Sequence, residues 1–119
     1  MAYVDGFLLA VPRRKLGAYR RVARAAGKIW KEFGAIDYRE CVGDDVGAKA
    51  AAPFKRAVRL KPGEVVLFSW IVYRSKADRN RINKKIMKDP RIEKMMDPKT
   101  PVFDMKRMAY GGFKAVVDL

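Results

Sequence analysis

Histidine is absent from this chain of 119 residues, and cysteine occurs once. Without imidazole there is no Ser-His-Asp triad, no histidine-ligated haem and no facial-triad iron site. The single thiol, Cys41, cannot build a disulfide framework, nor can it supply the set of nitrogen and sulfur ligands that zinc takes. No haem, zinc or other cofactor is therefore expected. Acids are scarce as well: 13 Asp and Glu stand against 27 Lys and Arg, for a formal net charge of +14. Long apolar runs are missing too, and none approaches the ~18 residues that would span a bilayer. The run from Tyr3 to Val11 is short, carries Asp5 and has no basic flank before it, so no signal peptide is expected. The expected location is the cytoplasm, away from membranes.

What is present is a globular composition, half apolar and 34% charged. The length suits one ferredoxin-like domain over residues 1–119, for reasons of element order given below. The most informative segment is Val65-Val66-Leu67-Phe68-Ser69-Trp70-Ile71-Val72-Tyr73. Side chains alternate along a strand, which places Val65, Leu67, Ile71 and Tyr73 on one side. Val66, Phe68, Trp70 and Val72 fall on the other. Both faces are apolar, whereas a small antiparallel sheet usually wets one. The chain's own helices can cover the first face. A second copy is expected on the other, since so large an exposed patch exceeds what monomers tolerate.

The order of elements is readable. Tyr3 to Val11 forms a strand ended by Pro12, and a helix follows from about Arg14 to Phe33. Its apolar residues Leu16, Tyr19, Ala23, Ala26, Trp30 and Phe33 share one face, and Gly34 suits its C-terminal cap. Ala35 to Val42 alternates as a second strand, and Gly43 to Pro53 reads as a loop. Phe54 to Leu60 precedes Lys61-Pro62-Gly63-Glu64, a type II turn sequence, which favours a hairpin into the apolar strand with a short helix as the alternative. Ser75 and Asp78 form a capping box for a helix that ends before Asp89-Pro90. Residues 91–104 read as irregular. Arg107 to Val117 is a last strand, in which Gly111-Gly112 suggests a bulge or a close backbone contact.

Strand, helix, strand, strand, helix, strand is the ferredoxin-like order. The expected fold is α+β: a four-stranded antiparallel sheet with both helices on one face. Two such sheets packed face to face make a dimeric α/β barrel, so a homodimer is expected from patterning alone.

Tyr3-Val4-Asp5-Gly6-Phe7, Phe33-Gly34-Ala35, Phe68-Ser69-Trp70, Asp89-Pro90-Arg91 and Arg107-Met108 with Gly111-Gly112-Phe113 resemble the YbaA-like bacterial family, a domain-of-unknown-function group. The resemblance runs nearly end to end. It implies a dimeric α/β barrel of ferredoxin-like fold and no established activity.

Polar residues inside apolar patterns are the candidate site. Asp5 and Glu40 interrupt strands, Tyr38 stands two residues before Glu40, and Tyr110 lies beside the glycine pair. A carboxylate in an aromatic-lined space suits acid–base work, and Glu40 is the candidate catalytic group. A carboxylate paired with Arg39, Arg107 or backbone N–H groups explains the same pattern structurally. Arg79 and Asn83, four apart on the stripe of Ile82 and Ile86, can anchor a small acidic ligand or flank the core. Trp70 joins Asp5, Tyr38, Arg79, Asn83 and Tyr110 as a ligand-binding candidate, although core or dimer interface suits it better. Cys41 reads as a buried small hydrophobe. Glu40, Asp44 and Asp45 could offer oxygens to Mg²⁺ or Ca²⁺, but acids capping turn N–H groups are the plainer reading, and no metal site is expected.

From Arg13 to Lys31 eight basic residues occur with no acid, and from Arg74 to Lys94 nine basic residues face three acids. Such helices attract polyanions without sequence specificity. RNA-recognition domains share the element order, but their third strand needs glycine and a basic residue. Val65 to Tyr73 has neither, so at most weak, non-specific nucleic-acid binding is expected. Together these point to a homodimer with a small-molecule pocket in or beside the barrel and cofactor-free acid/base chemistry. The alternative is a non-enzymatic protein whose basic helical surface binds nucleic acid or other polyanions.

Overall fold

The computed structural model describes residues 1–96 and 101–119. Four strands, β1 (Tyr3–Pro12), β2 (Asp37–Val42), β3 (Glu64–Tyr73) and β4 (Ala109–Lys114), form one antiparallel sheet in the order β2-β3-β1-β4. Tyr3 faces Tyr73 and Pro12 faces Glu64, so β1 and β3 pair along their whole lengths at the centre. Helices α1 (Leu16–Glu32) and α3 (Lys76–Lys88) cover one face. Leu9, Val11, Tyr19, Ala23, Val65 and Leu67 make one half of the covered core. Ile29, Ala35, Ile71, Tyr73, Ile82 and Ile86 make the other. The ferredoxin-like α+β arrangement is the one the sequence order implies.

Local signals set the helix ends. Gly34 has φ +117°, and the Gly34 and Ala35 N–H groups donate to the Lys31 and Trp30 carbonyls at 3.1 and 3.0 Å. That pair of bonds closes α1 in a Schellman motif. Ser75 Oγ accepts from the Asp78 N–H at 3.1 Å and starts α3. Asp89 then accepts from the Arg91 N–H at 2.8 Å, so Pro90 opens a further helix, α4 (Pro90–Met95). Part of the stretch expected to be irregular is thus helical, and residues 97–100, with Pro98, lie outside the described residues.

The hairpin reading of Phe54 to Leu60 is overturned. The segment belongs to a short helix, α2 (Ala52–Ala57), with Pro53 in its first turn. The Lys61-Pro62-Gly63-Glu64 turn does form, with Gly63 at φ +80° and the Glu64 N–H donating to Lys61 at 3.1 Å. No strand can precede it in the sheet, because β1 and β2 already occupy both sides of β3. Instead Val58 is fully buried against Ala10 and Val66 on the face away from α1 and α3. The chain therefore covers one end of its own second face.

The remainder of that face is open. Phe68 is 47% and Phe113 61% exposed, with Trp70 half-buried beside Phe68. Gly6 and Gly111 lie beneath the Phe113 ring, where Cβ atoms would sit 3.5 and 3.6 Å from it. The register of β1 with β4 is continuous, so the glycine pair marks close approach and no bulge. A Cβ on Gly112 would fall 2.7 Å from the Tyr3 ring. β4 ends at Lys114, short of the expected Val117.

One buried ion pair joins three segments. Arg107 donates to Glu64 at 2.6 and 2.8 Å, to Asp104 at 3.1 Å, and to the carbonyls of Val58 and Arg59 at 3.4 and 3.2 Å. The approach to β4, the start of β3 and the end of α2 meet there. Arg59 closes α2 at φ +49°, with Schellman bonds from Arg59 to Arg56 and from Leu60 to Lys55, both at 3.1 Å. A side chain is strained in that conformation and glycine is not.

Arg59→Gly is accordingly expected to raise stability by about 1 kcal/mol in urea denaturation; an unchanged midpoint would mean that the turn is not strained. Hydrogen bonds from Arg107 hold the Glu64 carboxyl near 2, below its ordinary 4.5. The folded value lies below the unfolded one, so this stabilisation is complete above 4.5 and is lost as pH falls towards 2. Glu64→Gln should lower stability at neutral pH and flatten its decline through that window. Urea midpoints that fall in parallel for both proteins would remove the ion pair from the account.

Candidate functional site

β2 is an edge strand, and its alternation turns Tyr38 and Glu40 towards α1. Register sets Ser69 directly opposite Glu40, and α1 presents Tyr19 from above. Glu40 Oε1 accepts from Tyr19 Oη at 2.7 Å and from Ser69 Oγ at 2.5 Å, and Oε2 accepts from Tyr38 Oη at 2.9 Å. A carboxylate offers about four lone-pair positions, and among the described residues three hydroxyls donate to them, two to Oε1 and one to Oε2. Among the described residues no Lys or Arg is ion-paired with Glu40. Burial, and then the Glu40 charge, push the Tyr19 and Tyr38 hydroxyls well above the usual tyrosine range. Both therefore remain protonated donors.

Gly27 makes room for this arrangement. A Cβ there would fall 2.6 Å from the Tyr38 ring, so only glycine lets the ring slide beneath α1. The cluster forms the floor of a cleft of about 850 Å³ between α1 and β2. Arg20, Arg24, Lys28 and Lys31 line its α1 side.

The other residues named from sequence fall elsewhere. Asp5 is 4% exposed beneath α3. Arg79 Nε donates to it at 3.0 and 3.2 Å, Tyr73 Oη at 3.0 Å and Asn83 Nδ2 at 3.4 Å. Trp30 Nε1 completes the network by donating to Tyr73 Oη at 3.2 Å and Asn83 Oδ1 at 3.3 Å. Burial, and then the Asp5 charge, push the Tyr73 hydroxyl up. Arg79 and Asn83 thus turn onto Asp5 and do not line the Glu40 cleft. Trp70 lies on the open face, donating to Asp37 Oδ2 at 3.2 Å, a bond that holds the Asp37 carboxyl below its usual value. Tyr110 stacks on Phe7 at 6.0 Å and is 68% exposed on β4, the opposite edge from β2.

Of the cations proposed as carboxylate partners, Arg39 pairs with Asp37 at 3.5 Å, and Arg107 pairs with Glu64 and Asp104. Cys41 is exposed, contrary to the buried position expected of it, because it sits on the outer edge strand. Among the described residues no three acids or cysteines gather as a metal site. None of the described helices is long and apolar enough to cross a membrane. Tyr19 and Ser69 are the site residues that sequence reading missed. The one available signal was Ser69, the lone polar residue in the β3 run.

Comparison with known proteins places this geometry in a family. Residues 2–105 match the family described as "Protein of unknown function (DUF1428)". The chain is 45% identical over 118 residues to "Uncharacterized protein YbaA" of Escherichia coli K12, covering 99% of each, and equally similar to its Shigella flexneri namesake. Among solved structures it is similar to a mutant of SnoaB, a cofactor-independent oxygenase from Streptomyces nogalater. There the TM-score is 0.57 at 12% identity, over 99% of this chain and 96% of that one. A dimeric ferredoxin-like protein from an uncultured marine organism gives a TM-score of 0.54 at 10% identity, over the full length of both. Those two likenesses are of fold. The chain belongs to the YbaA-like DUF1428 family, whose function is unknown.

Proposed function

We propose that the chain acts as a homodimer on a small organic molecule bound between α1 and β2, with Glu40 as proton acceptor and no cofactor. The observation that carries this reading is a carboxylate held by three hydroxyls, with no ion-paired cation among the described residues, in the lining of a cleft wide enough for a ligand. A substrate O–H, N–H or C–H group seated there would give its proton to Oε2. Glu40 would become the neutral acid and return the proton to another atom of the product or to water. Tyr19, Tyr38 and Ser69 fix the carboxylate in place, so the acceptor needs no rearrangement when the substrate arrives. The likeness to a protein named as a cofactor-independent oxygenase supports chemistry of this kind on this architecture.

Pairing through the open face supports the homodimer. Phe68, Trp70 and Phe113 form an apolar surface that α2 covers only in part, through Phe54 edge-on to Phe68, and a fold neighbour is named as dimeric. The cleft lies on the other side of the sheet, so pairing leaves it accessible.

The proton-transfer reading is tested in D₂O with a panel of small carbonyl compounds and phenols, following deuterium uptake by NMR. Wild type should exchange at least one, and Glu40→Gln should exchange it about 10²–10⁴-fold more slowly with an unchanged melting temperature. A folded Glu40→Gln that exchanges as fast as wild type would remove Glu40 from the chemistry. If Glu40→Gln unfolds, Tyr19→Phe provides the comparison, and an unaltered rate there would count against the cluster. For assembly, light scattering should return twice the chain mass of 13.6 kDa. Phe113→Glu should shift the protein to monomer, and a wild-type monomer at every concentration would contradict the pairing.

A further inference from the structure

We infer that the α1/β2 cleft selects multiply charged anions, small molecules carrying two or more phosphate or carboxylate groups. The inference rests on the cleft of the preceding reading but not on proton transfer at Glu40.

Several arginines outside the cleft find acids. Arg74 and Arg81 reach Asp78 at 3.4 and 3.6 Å, Arg91 reaches Glu32 at 2.6 Å and Asp89 at 2.8 Å, and Arg79 and Arg107 are paired in the interior. Among the described residues, Arg20, Arg21, Arg24 and Lys28 form no ion pair, and all four line the cleft. Four cations without an acid partner are therefore gathered along one cavity.

The gathering is unfavourable for the free helix. Arg20, Arg24 and Lys28 stand four residues apart, which sets like charges side by side on one face and destabilises it. No acid occurs between Arg13 and Lys31 to relieve the repulsion. The sheet side of the cleft brings two carboxylates. Glu40 is taken up by three hydroxyls, and the Asp37 carboxylate is turned to the opposite face, onto Trp70 and Arg39. Neither neutralises the row.

An anion in the cleft would. At 1.5 Å per residue, Arg20 and Lys28 lie about 12 Å apart along the helix axis, room for more than one charged group. Guanidinium forks match phosphate and carboxylate oxygens in bidentate fashion. A ligand lying along this row can place a hydrogen-bond donor on Glu40 Oε2 while its charged groups rest on α1.

The test is calorimetric titration at fixed ionic strength with tripolyphosphate, citrate, inorganic phosphate and acetate, together with melting temperatures. Tripolyphosphate or citrate should bind at least ten-fold more tightly than inorganic phosphate or acetate and raise the melting temperature; whichever is tighter names the preferred group. Arg24→Ala/Lys28→Ala should weaken that binding at least ten-fold, while Lys84→Ala/Lys88→Ala on α3 leaves it unchanged. Calorimetry reads anion binding without any deuterium exchange, so loss of proton transfer and loss of anion binding are separable. Equal affinity for single and multiple charges, or equal effects of the α1 and α3 variants, would overturn the inference. A single-stranded oligonucleotide that binds far more tightly than tripolyphosphate and loses affinity equally with both variants would do the same, by assigning the charge to a nucleic-acid surface.

Discussion

β3 runs through the middle of the sheet with apolar side chains on both faces, so water has to be kept from two sides at once. Each layer of the molecule answers that need. α1 and α3 bury Val65, Leu67, Ile71 and Tyr73. The segment between β2 and β3 folds back to bury Val66 beneath Val58 and Leu60. Burial of apolar surface contributes about 25 cal/mol per Å², so the exposed remainder around Phe68 and Phe113 favours the proposed pairing with a second copy.

Two carboxylates enter the helix-covered layer, and they are handled differently. Asp5 is neutralised by Arg79 and surrounded by Tyr73 and Asn83, an arrangement in which charge and hydrogen-bond capacity are met internally. Burying a charge is unfavourable unless it is paired in this way. Among the described residues Glu40 has no ion-paired cation; three hydroxyls hold it, in the lining of a cleft. A carboxylate needed only for stability would be expected to resemble Asp5. The difference between the two directs the functional reading to Glu40 and away from Arg79 and Asn83.

Much of the fold was legible from local chemistry. Gly34 and the Ser75 cap mark helix ends by mechanisms that act within a few residues, and the alternation of β3 shows its two faces directly. α2 was not legible, because the turn at Pro62-Gly63 is the same whether a strand or a helix leads into it. What decided was the absence of a free side on β3, which is a property of the whole sheet. The site was half legible. Glu40 and Tyr38 are neighbours in one strand and break its pattern together. Tyr19 sits on an apolar helical stripe that looks like core, and its hydroxyl acquires meaning only when β2 is placed beneath it. Arg79 reaches Asp5 across 74 positions of sequence, a pairing that no periodicity encodes.

The central claim is that the Glu40 cleft is a ligand site kept open in the assembled protein. A crystal structure of the protein grown with tripolyphosphate or citrate tests it most directly. The account predicts a dimer joined through the Phe68–Phe113 face, with the anion in the cleft on the Arg20–Lys28 row. A cleft filled by the partner copy, or an anion bound only on α3 with the cleft empty, would contradict it.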